Sequence, residues 1–122
     1  MPRSGDKHLY AGLIRLHILH HAGEGPIYGQ WIMDELGRHG YRLGPGTLYP
    51  ILHQMERLNW LRSARTVVDT RCRRVYRLTP IGRIVLSRAR RKVHELFGEL
   101  FANSRKTTSK RGTKTVRRNS FK

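Results

Sequence analysis

One stretch, Leu43 to Leu61 (LGPGTLYPILHQMERLNWL), constrains this chain more than any other. Gly44 can serve as a helix cap, and Pro45 suits a first helical position because the N–H it lacks would have no partner there. Leu48, Ile51, Leu52, Met55 and Leu58 then recur at spacings of three and four, which places one apolar stripe on one side of a helix. The opposite side carries Thr47, Tyr49, His53, Gln54 and Arg57, side chains that can donate to phosphates or reach base edges. Asn59 follows and can take the left-handed geometry that ends a helix. One face is built for a core and the other suits a polyanion.

That second face gains meaning from the charge. The 122 residues include 25 Lys and Arg against 8 Asp and Glu, for a net charge of +17 and a sequence pI near 11.5. Such a balance favours nucleic acid over acidic lipid or acidic protein as partner. The length suits one small domain with a modest core. The single cysteine, Cys72, excludes an internal disulfide and fits a reducing compartment. No apolar run reaches membrane-spanning length, and MPRSGDKHLY has no apolar signal-peptide core, so the expectation is a cytoplasmic protein with no membrane partner.

Upstream of the central stretch, Ser4 or Asp6 can cap a first helix running to about Ala22 and stopped by Gly23. Its expected apolar set is Leu9, Leu13, Leu16 and Leu19, widened by Ile14 and Ile18. Ile27, after a Glu24-Gly25-Pro26 turn, can pair briefly with a later strand. A second helix is expected from about Tyr28 to His39, with Trp31, Ile32 and Leu36 inward and Gly40 at its end. Two helices joined by a few residues, the second with a mixed polar face, read as a helix-turn-helix.

After Asn59 the hydrophobic period changes. Leu61–Val68 and Arg73–Thr79 are rich in Val, Thr and Tyr and read as an antiparallel hairpin, turning at Asp69-Thr70-Arg71-Cys72. Arg65, Arg71, Arg73, Arg74 and Arg77 lie on or beside its distal part, the pattern of a wing. Thr79 and Pro80 open a final helix to about Phe101. Leu86, Val93, Leu96, Phe97 and Leu100 give it a near-heptad stripe whose simplest partner is the same helix of a second subunit. From Ala102 to Lys122 there are eight basic residues and no acidic one, so the preceding 101 residues alone carry +9. This tail is expected to be disordered in isolation.

The blocks GEGPIYGQWI, YRLGPGTLYPILHQMERLNWL and RRVYRLTPIGR, in this order and spacing, resemble the phenolic-acid-decarboxylase-regulator (PadR) family of bacterial transcription regulators. The resemblance runs from about Leu9 to Leu100. It implies a mainly α fold with a small β-hairpin (α+β), a winged helix-turn-helix with a C-terminal dimerisation helix, and a repressor reading a palindromic operator in double-stranded DNA. It divides the chain into a DNA-binding domain (1–79), a dimerisation helix (80–101) and the basic tail (102–122). The resemblance also places Thr47, Tyr49 and Pro50 in or beside the major groove and Arg73 and Arg74 along the backbone or minor groove. His53, Gln54, Arg57 and Arg71 complete the expected DNA-binding set, and Leu86, Val93, Leu96, Phe97 and Leu100 form the expected homodimer interface. Gly44 stands where the family often has Ser, Gln30 where it has Tyr after Gly29, and Asp69-Thr70-Arg71-Cys72 where the wing tip often carries Gly.

Several residues invite other chemistry. His17 and His21, at i and i+4 with His20 between them, could offer two metal ligands on one helix face, but no Cys or carboxylate near them in sequence completes a site. They are read as solvated or partly buried histidines, and no metal or cofactor is expected. Cys72 beside arginines could sense oxidants, and it is read as incidental. Trp31 and Trp60 could line a pocket for a small-molecule effector, and they are read as core. No phosphate-cradling glycine loop, Cys–His pair or acidic cluster points to an enzyme. A non-specific or architectural nucleic-acid binder driven by the tail is the alternative to a sequence-specific regulator. A protein-interaction module is a third reading, and the charge opposes it.

Overall fold

The computed structural model describes residues 6–102. In chain order these form α1 (Asp6–Glu24), β1 (Ile27–Tyr28), α2 (Gly29–Arg38), α3 (Pro45–Arg57), β2 (Leu61–Val68), β3 (Arg71–Leu78) and α4 (Pro80–Ala102). The candidate cap Ser4 and the basic tail beyond Ala102 lie outside the described residues. The described chain divides into two compact units between Ser87 and Arg88, inside α4 rather than at its start.

In the first unit, α1, α2 and α3 pack with a three-stranded antiparallel sheet of order β1-β3-β2. Ile27 pairs with Tyr76 and Tyr28 with Val75, the brief pairing expected for Ile27. The core draws Ile14, Ile18, Leu19 and Ala22 from α1, Ile32 and Leu36 from α2, Leu48, Leu52 and Met55 from α3, and Leu61 and Tyr76 from the sheet. Each fully buried Leu, Ile or Met contributes about 1.5–3 kcal/mol. No helix among the described residues is long and apolar enough to cross a membrane.

The ends of the helices follow from local chemistry. Gly44 is the N-cap of α3 with Pro45 behind it, as the sequence requires. At the other end Asn59 takes φ 66, the Trp60 N–H donates to the Met55 carbonyl at 2.9 Å and the Asn59 N–H to the Glu56 carbonyl at 2.9 Å. This double closure with a left-handed residue satisfies carbonyls the helix would leave open. α2 ends the same way, with Tyr41 N–H donating to Leu36 and Gly40 N–H to Gly37. Thr79 caps α4: its Oγ accepts the Gly82 N–H at 2.8 Å while its hydroxyl donates to the Asn59 carbonyl at 2.6 Å.

Several expectations change. On α1 the buried stripe is Ile14, Ile18, Leu19 and Ala22, while Leu9 and Leu13 are exposed. Both sets satisfy a helical period, and only the sheet beneath decides between them. α1 does not stop at Gly23, which faces the side chains of Leu78 and Leu86, but ends at Glu24. There Pro26 disfavours helical geometry for Gly25. Trp31 is 40% exposed and Leu58 is exposed at the end of α3. The hairpin turn is only Asp69-Thr70, both at positive φ (53 and 64), a two-residue turn whose twist matches the strands. Arg71 and Cys72 therefore belong to β3, opposite Val68 and Val67. Leu86 is buried in the core of the first unit and is not part of an exposed seam. Gly82, one turn earlier, lies so close to the Trp60 carbonyl that any Cβ there would clash.

In the second unit, the α4 residues Val93, Leu96, Phe97 and Leu100 are all exposed. The Phe97 and Phe101 rings lie 4.6 Å apart.

Candidate nucleic-acid interface

Leu48, Leu52 and Met55 hold α3 in the core at zero exposure, and this turns Thr47, Pro50, His53, Gln54 and Arg57 outward. Arg57 sits in the last turn, where a cation also complements the helix dipole. Pro50 lies inside the helix, exposed, and removes one backbone hydrogen bond.

Tyr49 differs from its neighbours. It is half-buried, and its hydroxyl end occupies the space a side chain at Gly29 would need. Its ring lies 6.5 Å from that of His53. Tyr49 therefore wedges α3 against the start of α2, and Gly29 is the residue that admits it. Grouped by spacing with the outward side chains of α3, Tyr49 is thus only partly exposed and turns its hydroxyl end toward α2.

The hairpin register sorts the arginines. Arg65 stands directly opposite Arg74, and Arg62 opposite Arg77. On an antiparallel ladder opposite residues share a face, so these are two like-charge pairs set side by side, an arrangement that destabilises a hairpin on its own. Arg62 is absent from the arginines singled out in the sequence, and the strand register finds it as the partner of Arg77. Arg71 is exposed near the tip. Arg73 is partly buried, its guanidinium 4.4 Å from the centre of the Tyr28 ring and its Nε without a hydrogen-bond partner. Part of that side chain is thus committed to packing on β1.

Two polar links, one from α3 to the wing and one from α1 to α3, hold side chains of these surfaces, and neither is visible in the local sequence. Glu56, on α3, accepts from the Ser63 N–H at 3.1 Å and from the Ser63 hydroxyl at 2.8 Å. The Ser63 Oγ in turn accepts from Arg74 Nη1 at 3.1 Å. This relay fixes the wing against α3. Arg15 of α1 donates twice to Gln54 Oε1, at 3.2 and 2.9 Å, which orients the Gln54 amide and leaves its NH2 group pointing the other way. Tyr76, fully buried beneath, has its hydroxyl pKa pushed up by burial and by the charge of Glu56.

Other expectations resolve as follows. Cys72 is exposed, with Arg65 Nη1 3.6 Å from its sulfur. An open groove of about 620 Å³ is lined by Gln30, Met33, Asp34, Arg38, Arg42 and Leu43, among others. Neither Trp31 nor Trp60 lines it. Trp60 is half-buried against the core, as expected, whereas Trp31 meets the ring of His21 edge-on at 5.4 Å. His17 and His21 are partly buried and His20 is exposed, as expected, but carboxylates do stand beside them: Glu24 of the same helix lies 3.4 Å from His20 and 3.5 Å from His21, and the fold brings Glu35 and His39 of the α2 region beside His17 and His21. Burial and the neighbouring His39, His21 and His20 hold the His17 pKa below its ordinary value, against a smaller pull from Glu35. Burial alone would raise the Glu35 carboxyl, but hydrogen bonding to His39 and the charge and hydrogen bond of Arg38 hold it below the usual carboxylate value.

A helix-turn-helix followed by an arginine-bearing hairpin packed on its second helix is a winged helix. The family model of the Transcriptional regulator PadR-like family matches residues 18–88, and the chain belongs to that family. The Transcriptional regulator Rv3488 of Mycobacterium tuberculosis (strain ATCC 25618 / H37Rv) is 51% identical over 94 residues, covering 77% of this chain and 88% of that protein. Among solved structures, a PadR family transcriptional regulator from Eggerthella lenta DSM 2243 superposes with a TM-score of 0.67 at 28% identity, over 80% of this chain and 86% of that one. A PadR-like regulator from Bacillus cereus strain ATCC 14579 shares the fold with a TM-score of 0.75 at 18% identity, over 81% and 98%.

Proposed function

We propose that this PadR-family chain acts as a homodimeric repressor that binds a palindromic operator. α3 enters the major groove and the hairpin lies along the adjacent backbone. Thr47, His53, Gln54 and Arg57 face the bases or their flanking phosphates. Pro50 shapes the entry of the helix, and Tyr49 sets its angle against α2. Arg71, Arg74 and the free edge of Arg73 meet phosphate. The observation that carries this reading is the Glu56–Ser63–Arg74 relay, which ties the wing and its Arg74 to α3 beside the outward face of that helix. A surface held in register can meet groove and backbone together. The exposed side chains of Val93, Leu96, Phe97 and Leu100 support a second subunit, since an apolar stripe of this size in water favours pairing. The open groove at the α2–α3 junction offers room for a small effector.

Selection of bound sequences from random duplexes tests the proposal. It expects a two-fold symmetric consensus with half-sites roughly 34 Å, one helical turn, apart or a multiple of that. A pool that returns no consensus refutes it and favours the non-specific binder. Removal of residues 103–122 separates the same two readings. The repressor keeps its consensus with a smaller salt slope, reduced by about 0.9 for each phosphate the tail had neutralised, whereas the non-specific binder loses nearly all affinity.

A further inference from the structure

We propose that His17, His21, Glu35 and His39 form a binding site for a divalent transition-metal ion of the zinc type, bridging α1 to the C-terminal end of α2. The site goes beyond DNA recognition and uses none of the residues assigned to it.

Its geometry is that of a ligand set. One ring nitrogen from each of His17, His21 and His39 lies within 4.8 Å of the others. Glu35 divides its two oxygens. Oε1 accepts from Arg38 Nη2 at 2.8 Å, and Oε2 lies 3.3 Å from His39 Nε2 and 3.6 Å from His21 Nε2. Tetrahedral zinc with bonds of about 2.0–2.1 Å has ligand–ligand edges of roughly 3.4 Å. The separations of Glu35 from His39 and from His21 match two such edges, and His17, with a ring nitrogen within 4.8 Å of those of His21 and His39, supplies the third imidazole. Small rotations about the side-chain bonds close the rest.

The surroundings suit a bound ion. The side chains of His21 and Glu35 are only 12% and 13% exposed. The Nδ1 of His21 is buried without a hydrogen-bond partner, and Glu24 Oε1 lies 3.5 Å from it. Coordination through Nε2 would fix Nδ1 as the N–H and aim it at that carboxylate, the arrangement that orients metal-bound imidazoles generally. Tyr41 packs edge-on to His17 at 5.4 Å and Trp31 to His21 at 5.4 Å, so aromatic rings wall two sides. Three imidazoles and one carboxylate select zinc, cobalt, nickel or copper over magnesium and calcium, which prefer all-oxygen sets. A second group, His20, His21 and Glu24, shares His21 but is more exposed.

The test uses the full chain freed of metal by chelation. Equilibrium dialysis against Zn²⁺ should give one ion per chain. Zn²⁺ in excess should raise Tm by on the order of 5 °C or more, because an ion that binds only the folded state stabilises it. Co²⁺ in its place should develop the visible bands of a tetrahedral site. His39→Gln and Glu35→Gln, at positions where the core is not disturbed, should each weaken binding at least tenfold and remove those bands, while His20→Ala and His53→Ala should leave both intact. Circular dichroism of the metal-free variants verifies that they fold. The assignment is overturned if the wild-type chain shows no Co²⁺ bands and no shift in Tm. It is equally overturned if His39→Gln and Glu35→Gln bind as wild type, or if His20→Ala alone abolishes binding, which would move the ion to the exposed group.

Discussion

The two ends of α4 have the same apolar vocabulary and opposite fates. Near its start, Gly82 and Leu86 are buried: Gly82 lets the helix approach the Trp60 carbonyl, and Leu86 joins the core that α1 and the sheet build. Beyond the division at Ser87, Val93, Leu96, Phe97 and Leu100 stay in water. Spacing alone treats Leu86 and Leu96 as members of one stripe. What separates them is a neighbour in the same chain. The first two turns of α4 complete a domain, and the later turns leave their apolar face exposed.

That contrast can be broken by mutation. Leu86→Ala should lower stability by about 2–5 kcal/mol, read by urea or thermal unfolding, with subunit assembly unchanged once the protein is folded. A drop of less than about 1 kcal/mol, below the range for a buried leucine, would return Leu86 to the seam. Leu96→Asp should do the reverse. Sedimentation equilibrium should show a dimer weakened roughly a hundredfold or more, because an unpaired charge would be buried in the seam, while circular dichroism of the winged-helix unit is retained. An intact dimer would remove the seam from this face. Thr79→Ala takes away the cap that begins α4 and the hydrogen bond that ties it to Asn59. It should cost about 0.5–2 kcal/mol, visible as a lower Tm with assembly unaffected. Arg74→Ala touches neither end of α4. It should change Tm least of all and reduce the salt slope of operator binding by about 0.9. A large fall in Tm there would make the relay through Ser63 a folding element first.

Much of the fold is legible in the sequence because it is written locally. Gly44 and Pro45 announce the start of α3, Asn59 its end, and Thr79-Pro80 the start of α4. The change of period after Asn59 announces the wing. Less legible is whatever depends on a residue far along the chain. Leu9/Leu13 and Ile14/Ile18 fit one helical period equally well, and only the sheet chooses. Arg15 and Gln54 are 39 residues apart, and Ser63 and Arg74 are 11, so no window of spacing joins them. The same distance along the chain hides Glu35 and His39 from His17 and His21. Tyr49 escapes for a related reason: polar side chains on its face of α3 suggest an outward ring, whereas the bare backbone of Gly29 leaves a slot that an aromatic fills. In each case local chemistry sets the element, and tertiary contact decides what its side chains do.

The opposed arginines of the hairpin, Arg62 with Arg77 and Arg65 with Arg74, bear on the protein when it has nothing bound. No acid stands across the ladder from them, and Arg74 is linked through the Ser63 hydroxyl to the carboxylate of Glu56. Each rung therefore carries a repulsion that dissolved salt screens, so the hairpin should hold its strands more firmly as ionic strength rises.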